Sequence, residues 1–256
     1  MTWFTWVALA GTTSSAGLLY AVSGFGFAVL AVPLYLLMLD PPQAVQLGII
    51  LSTALALTVV SGLRRNIAPG LLLRLALGSL AGLPIGLLSF RHVDPLLVRL
   101  GIGASILAFA AVVALSRRGG GRNWVVFRRS GSRDLFAGIV AGMANALVGM
   151  AGPPVLIYLL LAGTAGQTVR ATLLAFFALT YGATLASHAA TVGIPGSTWL
   201  AAGVLAPFAL LGGVAGRPIG DRLGTDGFAR VAIMLLTVAG IYTTAAATFA
   251  LLARAR

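Results

Sequence analysis

Residues 145–155 read NALVGMAGPPV. Gly149, Gly152, Pro153 and Pro154 fall in the middle of apolar sequence that otherwise suits a helix. Glycine costs helix stability, and proline removes a backbone donor. In lipid every freed N–H or C=O must find a partner. A break at this depth is tolerated only inside protein or beside a wet cavity. A second break lies 125 residues earlier, at Ser23-Gly24-Phe25-Gly26-Phe27. Paired breaks at corresponding places in two halves point to a transporter's substrate site. The same glycines could instead serve close helix packing. Packing, however, gives no reason for the Pro-Pro step.

Composition sets the solvent. Of 256 residues, 59% are apolar and 9% charged, and the mean hydropathy is +1.02. Soluble domains carry about a quarter charged residues, and disordered chains need low hydrophobicity; both are excluded. Seventeen Arg stand against five Asp, with no Lys, Glu or Cys. In a soluble protein such a balance would suggest nucleic acid. Here the Arg residues sit in short groups between apolar runs, the positive-inside pattern of a multi-pass membrane protein. Nucleic acid is therefore not an expected partner; the lipid bilayer is. The absence of Cys excludes disulfides and thiolate metal sites. Two His and five scattered Asp offer no metal constellation, no cofactor motif is present, and HExxH, GxSxG and P-loop patterns are missing. No catalytic residue is assigned, and an enzyme is not expected.

The chain divides around Ser116–Arg133, a polar stretch with six Arg. Gly82-Leu83-Pro84-Ile85-Gly86 recurs as Gly216-Arg217-Pro218-Ile219-Gly220, and Gln43-Ala44-Val45-Gln46 as Gln167-Thr168-Val169-Arg170. Together with the breaks, these matches predict two homologous repeats, residues 1–116 and 134–256, joined by a basic cytoplasmic linker at 117–133. The expected fold is an all-α polytopic membrane protein. Each repeat is an interrupted helix pair followed by three transmembrane helices, giving about eight membrane segments. If each interrupted pair crosses once, the Arg residues outside the spans divide ten to six between the two faces. If each is a re-entrant hairpin, they divide twelve to four. The second split obeys the positive-inside rule better. Leu135–Val148 would also make only ~21 Å of helix, too short for a ~30 Å core. Inverted repeats with both termini outside the cytoplasm follow.

Candidate site residues gather at the breaks. Ser23, Gly24, Phe25 and Gly26 mark the first; Asn145, Gly149, Gly152, Pro153 and Pro154 mark the second. A helix that restarts after a break presents N–H groups and a positive dipole end, suited to an anion. All five Asp lie at span ends or in loops, so no carboxylate waits mid-membrane for a cation. Arg170 could clamp an oxyanion or snorkel to the interface. Arg74 can snorkel from its span. His188 could shuttle a proton, or hydrogen-bond to a neighbouring helix in its neutral form. The reading is a secondary transporter for a small anion bound near the midplane. An anion channel or a non-transporting scaffold is the alternative, and a homodimer stays open.

The breaks, running on to Pro33 and through Gly149-Met150-Ala151-Gly152-Pro153-Pro154, resemble the TauE/SafE sulfite exporter family, also called the toluene sulfonate uptake permeases. Arg170-Ala171-Thr172 and the two G-x-P-I-G segments add to the likeness, which covers nearly the whole chain. The resemblance implies a bacterial inner-membrane permease for sulfite or an organosulfonate. Phe27 and Ala151 interrupt the glycine run of the family's glycine-richest form.

Overall fold

The computed structural model describes residues 3–23, 26–60, 67–92, 128–162 and 167–216, with isolated positions between 94 and 111 and between 237 and 248. Gly24, Phe25, Arg64, Arg65, Arg217, most of the linker and most of the run from Phe228 lie outside them, as do the side chains of Ser23 and Arg170. The described residues are helical, with no strand among them. In chain order they form α1 (Trp3–Ser23), α2 (Phe27–Tyr35), α3 (Pro41–Val60), α4 (Pro69–His92), α5 (Gly131–Val148), α6 (Gly152–Leu161) and α7 (Gln167–Ser187). A π-helical turn, His188–Val192, prolongs α7. The next helix, α8, covers Gly196–Gly216. Among the described residues three segments are long and apolar enough to cross a membrane: Pro69–Phe90, Ala171–Val192 and Gly196–Gly216. Their outward faces carry Leu73, Leu77, Leu80, Leu200, Leu211 and Val214. Exposed leucine on that scale suits lipid rather than water.

Both interrupted segments turn back on themselves. Tyr158, near the end of α6, donates its hydroxyl to Asp134 in the first turn of α5, at 2.7 Å. Twenty-four residues of continuous helix would separate them by about 36 Å. The pair meets because α6 returns alongside α5. In the first half the Tyr35 hydroxyl of α2 lies 2.7 Å from Thr13 Oγ1 of α1. Each interrupted segment is thus a helical hairpin, the course that arginine placement favours. One expectation shifts: α5 starts at Gly131, not Leu135. The Ser130 hydroxyl caps it by accepting from Arg133 N. Eighteen residues give about 27 Å of helix. The added turn is polar, so hydropathy alone misses it.

Two close helix crossings hold the hairpins to the rest. Along α4, a Cβ on Gly78, Gly82 or Gly86 would overlap the carbonyls of Leu135, Ile139 and Met143 in turn. Gly138 and Gly142 of α5 meet Leu75 and Ser79 in return. The order of contacts makes α4 and α5 parallel. Elsewhere α8 crosses α1 in the same sense: Gly212 faces Ser14, Gly216 faces Leu18, and Gly17 faces Ala209. Small residues let two backbones approach where lipid offers no hydrophobic drive for association. The core between the helices contains Phe27, Tyr35, Phe176 and Phe177, all fully buried.

Candidate functional site

The second break is built on a left-handed glycine. Gly149 (φ 72°, ψ 18°) ends α5, and its N–H returns to the Asn145 carbonyl at 2.9 Å. Glycine adopts this conformation without the Cβ penalty of other residues. It packs on α3, where a Cβ would sit 3.3 Å from the Val45 carbonyl and 3.7 Å from Ile49 Cγ1. Gly152 opens α6 against the Phe177 ring of α7. One turn beyond Phe177, the Tyr181 hydroxyl meets the Ala151 backbone and lies beside Ser52 of α3. At the first break Gly26 is also left-handed (φ 110°) and precedes α2 directly. Tyr20, one turn before that break, lies near Tyr181.

The two restarting helices are not equivalent donors. In the first, Leu30 N makes the first helical bond, to Gly26 O at 3.1 Å. The N–H groups of Gly26 through Val29 precede that bond, and none belongs to proline. In the second, Pro153 and Pro154 fill the first turn and have no N–H. Proline is well tolerated there, since a first-turn N–H has no intrahelical partner. Of the two restarting helices, α2 therefore carries the fuller set of N–H donors.

Asn145 is fully buried one turn before Gly149. Its Nδ2 donates to Thr184 Oγ1 at 2.9 Å and to the Thr180 carbonyl at 3.3 Å. Its Oδ1 has no partner among the described residues. His188 places Nε2 2.9 Å from the Ala146 carbonyl. A carbonyl only accepts, so Nε2 carries the hydrogen and Nδ1 is left as a buried acceptor without a partner. The ring meets Phe90 edge-on at 4.7 Å. This is the interhelical bond of a neutral histidine, with one nitrogen still open. Gln46 ties α3 to the loop beyond the π-turn by donating to the Gly193 carbonyl at 2.9 Å. Arg170 occupies the first turn of α7.

A cluster the sequence did not reveal lies at the base of the second hairpin. Asp134 is 1% exposed and accepts from Arg74 Nε at 3.0 Å, Arg129 Nη2 at 3.0 Å and Arg129 Nε at 3.2 Å. Arg74 is therefore ion-paired rather than simply snorkelling. The Asp134 carboxylate raises the Arg129 guanidinium further above its ordinary value. Such pairs hold a buried charge through several hydrogen bonds. They leave Asp134 no spare role as a cation ligand. Among the described residues no group of three His, Cys, Asp or Glu could hold a metal ion.

Sequence reasoning missed Tyr20, Tyr181 and the Thr180–Thr184 pair. A signal for Tyr20 existed, because the offset of 125 that matches Gly24 to Gly149 also matches Tyr20 to Asn145. Comparison with curated proteins and with solved structures gives no match. A family model described as Sulfite exporter TauE/SafE matches residues 8–243. That span takes in both glycine hairpins, the two glycine-lined crossings and the buried polar groups between them. Over nearly its whole length, then, this membrane-integral chain belongs to the sulfite exporter TauE/SafE family.

Proposed function

We propose that the chain is a secondary transporter of the bacterial inner membrane that carries a small anion, sulfite or an organosulfonate, past the tips of its two glycine hairpins. The observation that carries the reading is the pair of left-handed glycines, Gly26 and Gly149, at the tips of two helical hairpins. Family membership makes the chain an anion transporter of the sulfite-exporter kind. The N-terminus of α2 supplies a positive end, and the described carboxylates lie at helix ends or are held by arginine. In this reading Ser23–Gly26, Asn145, Gly149 and Gly152–Pro154 border the anion, and Arg170 attracts it from the α7 end.

The repeat architecture belongs to the same proposal. Gly82 packs on Ile139 of α5, and Gly216, its counterpart in the repeated G-x-P-I-G segment, packs on Leu18 of α1. Each hairpin's first helix thus packs parallel to a long helix of the other half, as an inverted pair would. One half rocking against the other would expose the hairpin tips to each side in turn. His188, with its open Nδ1, is the candidate for carrying a coupled proton. With both hairpins re-entrant, the termini lie outside the cytoplasm. A reporter fused after Arg256 is expected to read non-cytoplasmic, and a cytoplasmic signal would remove this topology.

The transport reading is tested in proteoliposomes with labelled sulfite, sulfoacetate and taurine. Saturable uptake is expected for at least one of them, whereas a channel would give flux that rises with concentration without a plateau. Gly149→Leu forces a branched side chain into a left-handed position, and Pro153→Leu alters the same turn. A fall of about tenfold or more is expected, since a tenfold change in rate is ~1.4 kcal/mol of barrier. Unchanged flux in both variants would sink the site.

A further inference from the structure

Burial without partnership marks a second set of groups at the hairpin tips. Tyr20 is 3% exposed and Ser52 1% exposed. The Tyr20 hydroxyl has no hydrogen-bond partner among the described residues, and the Ser52 hydroxyl has only that of Tyr181 beside it. Leaving a buried polar group unmade costs about 1–3 kcal/mol, so each such group needs an explanation. Both lie by the same feature. Val45, Ile49 and Ser52 share one face of α3, and its first two residues pack on Gly149. Tyr181 stands between Ser52 and the Ala151 backbone, and Tyr20 is within electrostatic reach of it. Asp40 precedes α3, Arg74, Arg129 and Asp134 meet at the base of α5, Arg128 and Arg133 lie beside them in sequence, and Asp94 follows α4.

We infer that the Tyr20, Ser52 and Tyr181 hydroxyls form an uncharged donor cradle for the oxyanion, and that this cradle selects singly charged oxyanions over doubly charged ones. The inference rests on the transport reading above and deepens it. Its chemistry follows from charge. The cost of taking an ion out of water grows with the square of its charge. Uncharged hydroxyls return the same few hydrogen bonds to either species. A sulfonate or hydrogensulfite can therefore be held where sulfate, of similar shape but twice the charge, is rejected. Each hydroxyl can turn its hydrogen toward an oxygen on the anion, which a carbonyl or a carboxylate cannot do.

The test combines binding with stability, because the two roles open to a buried hydroxyl predict opposite results. Tyr20→Phe deletes a group with no described partner, and Ser52→Ala one that only faces the Tyr181 hydroxyl. Their thermal unfolding is expected to match or exceed that of the parent protein. The half-saturation concentration for labelled sulfite or methanesulfonate is expected to rise roughly tenfold in each, as for one lost hydrogen bond to a charged group. Tyr181→Phe should show the same rise with a small loss of stability, since its hydroxyl also meets Ala151. Unlabelled methanesulfonate should compete with sulfite at least tenfold better than sulfate does. Unchanged half-saturation in all three variants overturns the cradle while leaving transport at the hairpins intact. Lower stability together with weaker transport in Tyr20→Phe and Ser52→Ala also overturns it, by making the hydroxyls structural. Equal competition by sulfate overturns the charge selectivity. Absence of saturable uptake in the parent protein removes the transport reading and the cradle together.

Discussion

Asp134→Ala is expected to lower stability by about 2–4 kcal/mol, and the loss should be concentrated in the second hairpin. The carboxylate is buried and is the shared acceptor for Tyr158, Arg74 and Arg129. Those donors come from α6, α4 and the segment before α5. Truncation leaves two guanidinium groups beside an apolar wall and a tyrosine hydroxyl without its acceptor. Removing one partner of a buried pair costs ~3–5 kcal/mol when the survivors stay buried. Here the Arg74 side chain is 43% exposed and that of Arg129 26%, so both can partly rehydrate, which sets the lower figure. Thermal unfolding in detergent measures the loss. Protease cutting near residues 149–152 should rise in parallel, because the Tyr158 bond ties α6 back to α5. Tyr158→Phe should reproduce a fraction of the effect, about 1–2 kcal/mol, for one charge-assisted hydrogen bond. A stable Asp134→Ala protein with normal protease resistance would show that the clasp is idle.

The difference between what the residues reveal and what they hide lies in range. The breaks were legible because Gly149, Pro153 and Pro154 contradict their apolar surroundings within a few positions. The turn-back of each interrupted segment was legible from arginine placement, which reports on a whole segment at once. Asp134 and Arg74 were not, because residues 60 apart give no local sign that they will meet. Each alone looks like an ordinary charge near a span end. Tyr20 hid in another way: in a membrane sequence a tyrosine reads as an interfacial anchor, and only the empty surroundings of its hydroxyl mark it out. The paucity of donors at the second break was visible all along. Pro153 and Pro154 remove the N–H groups that a restarting helix would otherwise offer, yet the break they create draws attention away from that loss. The glycine spacing on α4 gives no sign of its partner, since Gly78, Gly82 and Gly86 would suit any helix with small residues.

Alanine at Gly82 or Gly142 is expected to cost about 3 kcal/mol or more, while alanine at Gly182 or Gly203 should be neutral or slightly stabilising. All four positions are helical and carry the same intrinsic preference, since alanine is favoured over glycine by ~1 kcal/mol in a helix. They differ in what the added methyl group meets. At Gly82 it runs into the backbone of Ile139, and at Gly142 into that of Ser79, whose Cα lies 2.7 Å from the new atom. Backbone cannot rotate aside as a side chain can, so α4 and α5 must separate. Separation loosens the contacts on either side, where Gly78 and Gly138 are equally close-fitting. At Gly182 and Gly203 nothing lies within 4 Å. Overpacking in a tight core usually costs ~1–3 kcal/mol, and the shared backbone clash places Gly82 and Gly142 at or above the top of that range. Gly216 offers a graded case, because its methyl would stand 2.7 Å from the Leu18 carbonyl of α1. Its cost should fall between the two groups if the α1–α8 crossing works as the α4–α5 crossing does. Unfolding midpoints for the five alanine variants in one detergent would order them. A Gly82→Ala protein as stable as Gly182→Ala would mean that the helices can part without penalty. The hairpins would then be held by the Asp134 cluster and the surrounding apolar core rather than by the glycine seam.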